Sequence, residues 1–512
     1  MTNSETTAES TQNTAATEST SQPQTLPPSH PMITRAKSGI YKPKIYTAKR
    51  LAREKIDTPA SVEEALKNKK WETTMREKFE ALQKNRTWEL VPPFQDQKVI
   101  GNKWVYKVKY NPDGTIARYK ARLVAKGFHQ TAGIDFNETF SPVAKSPTIR
   151  IVLNLAIMNN WDIKQVDVNN AFLHGELCEE VFIRQPQGFE DKRKPQYVCK
   201  LKKALYGLKQ APRAWYNKLS SALKDWGFKN SISDTSLFFM NKDGDTVLLL
   251  VYVDDILLTG SNSRIIDDVI QKLNKSFSLK DLGSLKYFLG IEVERIAEGM
   301  HLSQGKYITD LLKRTGMENC KSLPTPMSTS TKLRKEGGKA LSDNTLYRSA
   351  NGGLQYATLT RPEITYAVNT LSQYLEAPKQ THWEGCKRIL RYLKGTLNYG
   401  LHFTPKGKPG LMCFTDANWA SDQDDRRSTG GYCTFLGGNL VSWRSKKQKV
   451  VARSSTESEY RSLADTSAEI TWICSLLGEL GMKPKQRSVI WCDNQVQHPL
   501  PAIQYFMPEL NT

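Results

Sequence analysis

The sequence predicts an α+β fold, and two observations predict it. Segments of strand character crowd the first 300 residues: Lys103–Tyr110 alternates, Thr115–Val124 returns after Asn111-Pro112-Asp113-Gly114, and Trp161–Val168 and Val247–Leu258 are rich in β-branched and aromatic residues. Between Ser303 and Phe403 apolar residues instead recur three and four apart, over Asn369–Leu375 and Trp383–Leu393, with loops at Pro324, Pro326 and Gly337-Gly338. A helix is also expected near the start, from Thr58-Pro59 and the acidic Glu63-Glu64 through Trp71, Met75, Phe79 and Leu82. The 512 residues suffice for two or three domains with real cores.

Composition narrows the class. The formal net charge of +21 suits a polyanionic partner, although basicity alone would equally fit a solvated surface. Eight cysteines show no CxxC pair, which predicts reduced thiols in an intracellular protein, cytoplasmic or nuclear. No run reaches transmembrane length, and the polar first 30 residues lack a signal-peptide core, so no membrane association is expected. Residues 1–55 read as a low-complexity segment followed by a basic linker.

Tyr252-Val253-Asp254-Asp255 lies between Val247–Val251 and Ile256–Leu258, among the most apolar text in the chain. Adjacent carboxylates in such surroundings are desolvated and repel each other, which favours a divalent cation as their partner. A polar hairpin turn is the competing account, but such turns favour Asn-Gly or Asp-Gly, and after the pair no glycine comes until Gly260. From the local pattern both accounts stand. Asp167 closes a second strand-like segment, from which it could face Asp254; alone it would be an ordinary strand-end residue.

These residues carry a resemblance. The text Gln165–Gly175, the tetrad Tyr252–Asp255, the run Val198–Tyr216 with its Ala204-Leu205-Tyr206-Gly207-Leu208-Lys209-Gln210 core, and Arg118–Phe128 are similar to the reverse transcriptase of copia-type LTR retrotransposon Pol polyproteins, the plant lineage in particular. The likeness runs in order from about Pro31 to Gln495.

It implies a right-hand polymerase of fingers, palm and thumb, followed by connection helices and an α/β ribonuclease H-like domain. The segments would be 56–327 for fingers, palm and primer grip (core 85–327), 328–408 for thumb and connection, and 409–495 for the ribonuclease H-like part. Asp167, Asp254 and Asp255 would hold two Mg²⁺ ions, with Mn²⁺ as a substitute, ~3.5–4 Å apart. Lys120, Arg122 and Lys126 would meet the triphosphate of a deoxynucleotide, although each could equally belong to a solvated strand face. Phe172 would lie below the sugar and exclude a 2′-hydroxyl, unless it is simply a core residue. Tyr206 and Gly207 would lie against the nascent base pair, and Phe288, Leu289 and Gly290 would grip the primer. Lys387, Arg391 and Lys394 share a helical face that is either solvated or follows the phosphates of an RNA or DNA template with its primer. In the last third, Asp416, Glu457 and Asp493 would be the metal-binding carboxylates.

The likeness stops at Gln495. Back-translation of the following residues in a shifted frame permits text of the family's kind, so 496–512 is expected to be a frameshifted tail. The ribonuclease H part would then lack a ligand and be inactive. The implied activity is RNA-directed DNA polymerisation; the alternative is an inert nucleic-acid-binding relic of a decayed element.

Overall fold

The computed structural model describes residues 58–95, 97–110, 115–328, 333–407 and 410–493, with the backbone alone of 503–506. The chain divides into two compact units, one of residues 1–56 and 110–117 and one of residues 57–109 and 118–512. The elements described belong to the second, except that Tyr110 and Ile116–Ala117, at the ends of one hairpin, are counted with the first. Helices and strands are both abundant, as an α+β chain requires.

Its centre is a six-stranded antiparallel sheet, in the order Leu279–Ser284, Ile163–Val168, Asp255–Gly260, Asp245–Tyr252, Leu237–Lys242, Lys229–Asn230. One face packs Val247, Leu249, Ile256 and Leu258 against the helices Ala211–Asp225 and Ser263–Phe277. The other face offers Leu248, Leu250 and Leu257 to the helix Ser146–Met158. Cover on both faces explains why this antiparallel hairpin reads as one continuous apolar run, without the alternation of a half-solvated sheet.

The helix Ser146–Met158 has ten buried residues out of thirteen because it lies between two sheets. Its outer side meets a five-stranded sheet, ordered Asn439–Lys447, Thr429–Leu436, Leu411–Asn418, Val489–Cys492, Ile503–Phe506. Leu411–Asn418 and Val489–Cys492 run parallel, and the helix Ser455–Glu479 packs on this sheet. Polar bonds fix the junction. Arg150 Nε donates to the Val441 carbonyl at 2.6 Å and its guanidinium stacks 3.8 Å from Trp443, while Asn439 Nδ2 donates to Asn154 Oδ1 at 2.6 Å.

The first expected helix is two, Val62–Lys67 and Lys69–Lys84. Asn68 ends one and caps the next, accepting a bond from the Lys70 amide, a competition with helical geometry that asparagine favours. The hairpin Asn102–Tyr110 and Ile116–Ala125 forms as expected, and its turn at 111–114 lies outside the described residues. Between 303 and 403 the described residues form four α-helices, Gly305–Arg314, Asn344–Ala357, Thr365–Ser372 and Gln380–Gly395, packed into one core. On the last of these, Arg391 Nε donates to the Lys321 carbonyl at 2.7 Å, so this part of the basic face is covered by protein. Strand Gly400–Phe403 pairs with Gly299–Ser303, so a single sheet spans the expected boundary at 327/328. Among the described residues no helix is long and apolar enough to cross a membrane, and no cysteine is in a disulfide.

Candidate active site

Tyr252 pairs with Asp255, so Val253 and Asp254 are the two residues of a tight hairpin turn. The turn and the acidic site are therefore one feature. Val253 has φ 56°, a left-handed conformation that costs a β-branched residue about 1–2 kcal/mol. The turn is held from two sides: Trp215 Nε1 donates to the Val253 carbonyl at 2.7 Å and the Val168 amide to the Asp254 carbonyl at 2.8 Å. Asp167 lies directly opposite Asp255 in the ladder between the central strands. The topology thus gathers Asp167, Asp254 and Asp255 at one end of the sheet.

Burial first, and then the neighbouring Asp254, push the Asp255 carboxyl up to about 6. The same two causes raise Asp167, opposed by Lys120, Lys280 and Arg118. Carboxylates raised by burial and by each other lack sufficient counter-charge, and three hard oxygen donors suit a divalent ion such as Mg²⁺. Their oxygens do not come together within 4.8 Å; among the described residues the group that does so is Glu459, Cys492 and Asp493.

Cations and rings border the aspartates. Arg122 lies 5.7 Å over the Tyr206 ring, and Tyr206 is 4.8 Å from Phe172 with the two rings tilted at 57°, so three of the expected nucleotide-site residues form one contiguous group. Phe172 is partly buried and also packs on the sheet's core. Lys120 lies in the field of Asp167 and is lowered, chiefly by burial and then by Arg122. Gly207 has φ 92°, and a Cβ there would sit 2.2 Å from the Ala125 carbonyl oxygen, so only glycine brings this loop against the hairpin. The stem of Lys126 lies beside Gly101.

Lys78 is a residue that sequence reasoning missed. Its Nζ donates to Asn170 Oδ1 at 2.8 Å, and burial, Arg122 and Lys120 push its ammonium down to about 8. A signal existed. Lys78 follows Trp71 and Met75 and precedes Leu82 on the buried stripe of the helix Lys69–Lys84, where a lysine is out of place unless it reaches a site.

The expected primer residues divide. Phe288 is buried in the core, whereas Leu289 and Gly290, with φ 46° and 74°, form the turn between Tyr287–Phe288 and Ile291–Ile296.

In the C-terminal sheet one of the three expected carboxylates stands apart from the other two. Glu457 does not approach Asp416 or Asp493; its carboxylate accepts from the Arg453 amide at 2.8 Å and pairs with Arg461. It is the third residue after the N-cap Ser454, whose hydroxyl accepts from the Glu457 amide, so the start of the helix consumes it. Glu459, buried and two residues on, points the other way. It accepts from the Ala417 amide at 3.0 Å and lies 3.7 Å from Cys492 Sγ, and burial followed by Asp416 and Asp493 raises it. The expected tail at 496–512 falls outside the described residues, except that Ile503–Phe506 runs antiparallel to Val489–Cys492.

Comparison with known proteins gives the family. Residues 85–329 match the family described as reverse transcriptase (RNA-dependent DNA polymerase). The chain is 52% identical over 468 residues to the Retrovirus-related Pol polyprotein from transposon RE1 of Arabidopsis thaliana, covering 91% of this chain and 32% of that one. It is 50% identical over 466 residues to the corresponding RE2 polyprotein, with the same coverages. A putative transposon Ty5-1 protein of Saccharomyces cerevisiae is 36% identical over 308 residues, 60% of this chain and all of that protein. Among solved structures, a foamy viral protease-reverse transcriptase in complex with double-stranded DNA aligns over 83% of this chain and 62% of that one, at 13% identity and a TM-score of 0.46. The chain spans about a third of the length of the RE1 and RE2 polyproteins. It belongs to the copia-type retrotransposon Pol polyprotein family and carries that family's reverse transcriptase domain.

Proposed function

We propose that this chain is an RNA-directed DNA polymerase, adding deoxynucleotides to the 3′-hydroxyl of a primer on an RNA or DNA template. The observation that carries the reading is the register that sets Asp167 opposite Asp255, with Asp254 in the adjoining turn, beside the Arg122–Tyr206–Phe172 group. Asp167, Asp254 and Asp255 would hold two Mg²⁺ ions, which activate the attacking hydroxyl and offset charge on the leaving pyrophosphate. Lys120 and Arg122, joined by Lys78, take the triphosphate; none of the three is in an ion pair with a carboxylate among the described residues, so their charge is available to an anion. Phe172 sets the floor for the sugar, and the Leu289–Gly290 turn orients the primer end. Positioning and charge stabilisation do most of the work in phosphoryl transfer, so these groups suffice without a covalent intermediate.

The segments follow the boundaries expected from the resemblance: 56–327 as fingers, palm and primer grip, 328–408 as thumb and connection, and 409–495 as ribonuclease H-like. In the last, Asp416, Glu459 and Asp493 take the metal-facing places. The test is incorporation of dTTP on poly(rA)/oligo(dT) with Mg²⁺ or Mn²⁺. Template-dependent incorporation supports the reading; tight primer–template binding without incorporation in either metal makes the chain an inert nucleic-acid-binding protein.

A further inference from the structure

Tyr356 stands near the C-terminal end of the helix Asn344–Ala357, and its hydroxyl donates to the Leu289 carbonyl at 2.5 Å. The turn it touches is strained. Both central residues have positive φ, and a two-residue turn of that kind favours Asn-Gly, whereas leucine at φ 46° costs about 1–2 kcal/mol. Gly290 leaves no slack, since a Cβ there would lie 2.9 Å from Tyr356 Cε1. Ring and turn are packed face to face.

Tyr356 is itself held. Its ring lies 4.8 Å from that of Tyr307, whose hydroxyl donates to the Gly353 carbonyl at 3.0 Å. Its carbonyl accepts from Gln304 Nε2 at 3.3 Å, and buried Gln304 takes the Thr360 hydroxyl at 2.9 Å. Tyr356 also lies in the electrostatic field of Tyr252, the residue before the Val253–Asp254 turn, and Tyr252 and Leu289 pack on the same core. Two tight turns, one acidic and one apolar, are thereby set against one framework. Around them Tyr356 and Tyr287 remain 38% and 43% exposed, and Lys306 lies 5.8 Å over Tyr287, an aromatic and cationic face suited to a sugar–phosphate strand.

We propose that Tyr356 is a positioning residue for the primer terminus: it pins the Leu289–Gly290 turn to the helical bundle, so that a nucleic-acid 3′ end meets the turn in one geometry. This rests on the polymerase reading. An unpinned turn would still bind duplex, because affinity comes from many phosphate contacts, but it would offer the hydroxyl in many orientations.

Two measurements on the full chain test it. In the first, primer–template ending in 4-thiothymidine is irradiated with the protein in the absence of nucleotide, so turnover is not needed. Crosslinks within 287–290 or at Tyr356 are expected, with a yield about threefold lower in Tyr356→Phe; crosslinks confined to other segments overturn the proposal. In the second, single-turnover extension is compared across variants. Tyr356→Phe should slow extension about tenfold per active site, with duplex Kd and burst amplitude unchanged. Gly290→Ala should slow it similarly, and Tyr356→Phe in that background should add little, because both changes act on the one contact. A wild-type rate in Tyr356→Phe, or a loss confined to burst amplitude and Tm, sinks the positioning role. Protein that crosslinks as expected yet incorporates nothing overturns the polymerase reading alone and leaves the place of Tyr356 intact.

Discussion

Among the described residues two groups of carboxylates are built differently. Asp167, Asp254 and Asp255 crowd a strained turn and are bordered by cations: Lys120, Lys280 and Arg118 all act on Asp167. Glu459, Asp416 and Asp493 gather near the ends of two neighbouring inner strands, where Glu459 is raised by burial and its acidic neighbours, and its donors are an amide and a thiol. Lysine and arginine side chains offset the repulsion in the first group; at Glu459 a backbone amide and a thiol do so. The cations beside the first group would also suit an arriving anion.

Asp254→Asn draws the contrast most sharply. Polymerisation should fall by about a thousandfold or more, since metal-held carboxylates contribute several kcal/mol to the transition state, while primer–template Kd measured at fixed salt stays nearly unchanged. Near-normal incorporation would remove metal from the palm cluster and with it the comparison.

Phe172→Val tests whether the anion arriving there is a deoxynucleotide triphosphate. Ribonucleotide incorporation relative to deoxynucleotide should rise on the order of ten- to a hundredfold. A variant that still polymerises with unaltered sugar discrimination would return Phe172 to the core cluster on which it also packs.

Glu459→Gln and Glu457→Gln separate the two glutamates at the C-terminal cluster. Calorimetric Mn²⁺ titration in an Asp254→Asn background should show about tenfold weaker binding for Glu459→Gln. Glu457→Gln should leave affinity alone and lower stability by about 0.5–1 kcal/mol through the helix start. The reverse ranking would reinstate Glu457.

The smallest effect concerns pH. Asp255 titrates in the folded state at about 6, above its ordinary 3.8, so the folded protein holds this proton more tightly than the unfolded chain. Its contribution is therefore complete below pH 3.8 and is lost as pH rises through about 6. Metal-free Asp255→Asn should melt about 2–4 °C higher than wild type at pH 7.5 and at nearly the same temperature at pH 4. Saturating Mg²⁺ should shrink the gap by stabilising only the native carboxylate. A gap independent of pH would show that Asp255 is not strained by its neighbours.

Asp254 and Asp255 stand out because carboxylates inside Val247–Leu258 contradict their surroundings, and a contradiction of that kind is visible in one dimension. The turn is legible only as a rival to the acidic site, because Val253 breaks the preference that would announce it; the structure makes the two one feature, with Trp215 holding Val253 from 38 residues away. The helix Ser146–Met158 went unread since its burial between two sheets leaves no amphipathic period. Glu457 is drawn into the helix start that Ser454 marks, which leaves the buried Glu459 beside Asp416 and Asp493, a distinction that linear spacing does not carry. Lys78 does not stand out among the lysines of an amphipathic helix, and its place on the apolar stripe is the clue.

The bond between Asn154 and Asn439 joins residues 285 positions apart. A ribosome adding about 5–20 residues per second would take roughly 15–60 s to cover that distance. Throughout that interval the outer side of the Ser146–Met158 helix has no sheet to lie against, and its apolar groups face solvent or whatever shields them. The central sheet and this helix are thus complete in sequence long before they are complete in fold, and synthesis halted before Val441 would release a chain with that surface uncovered.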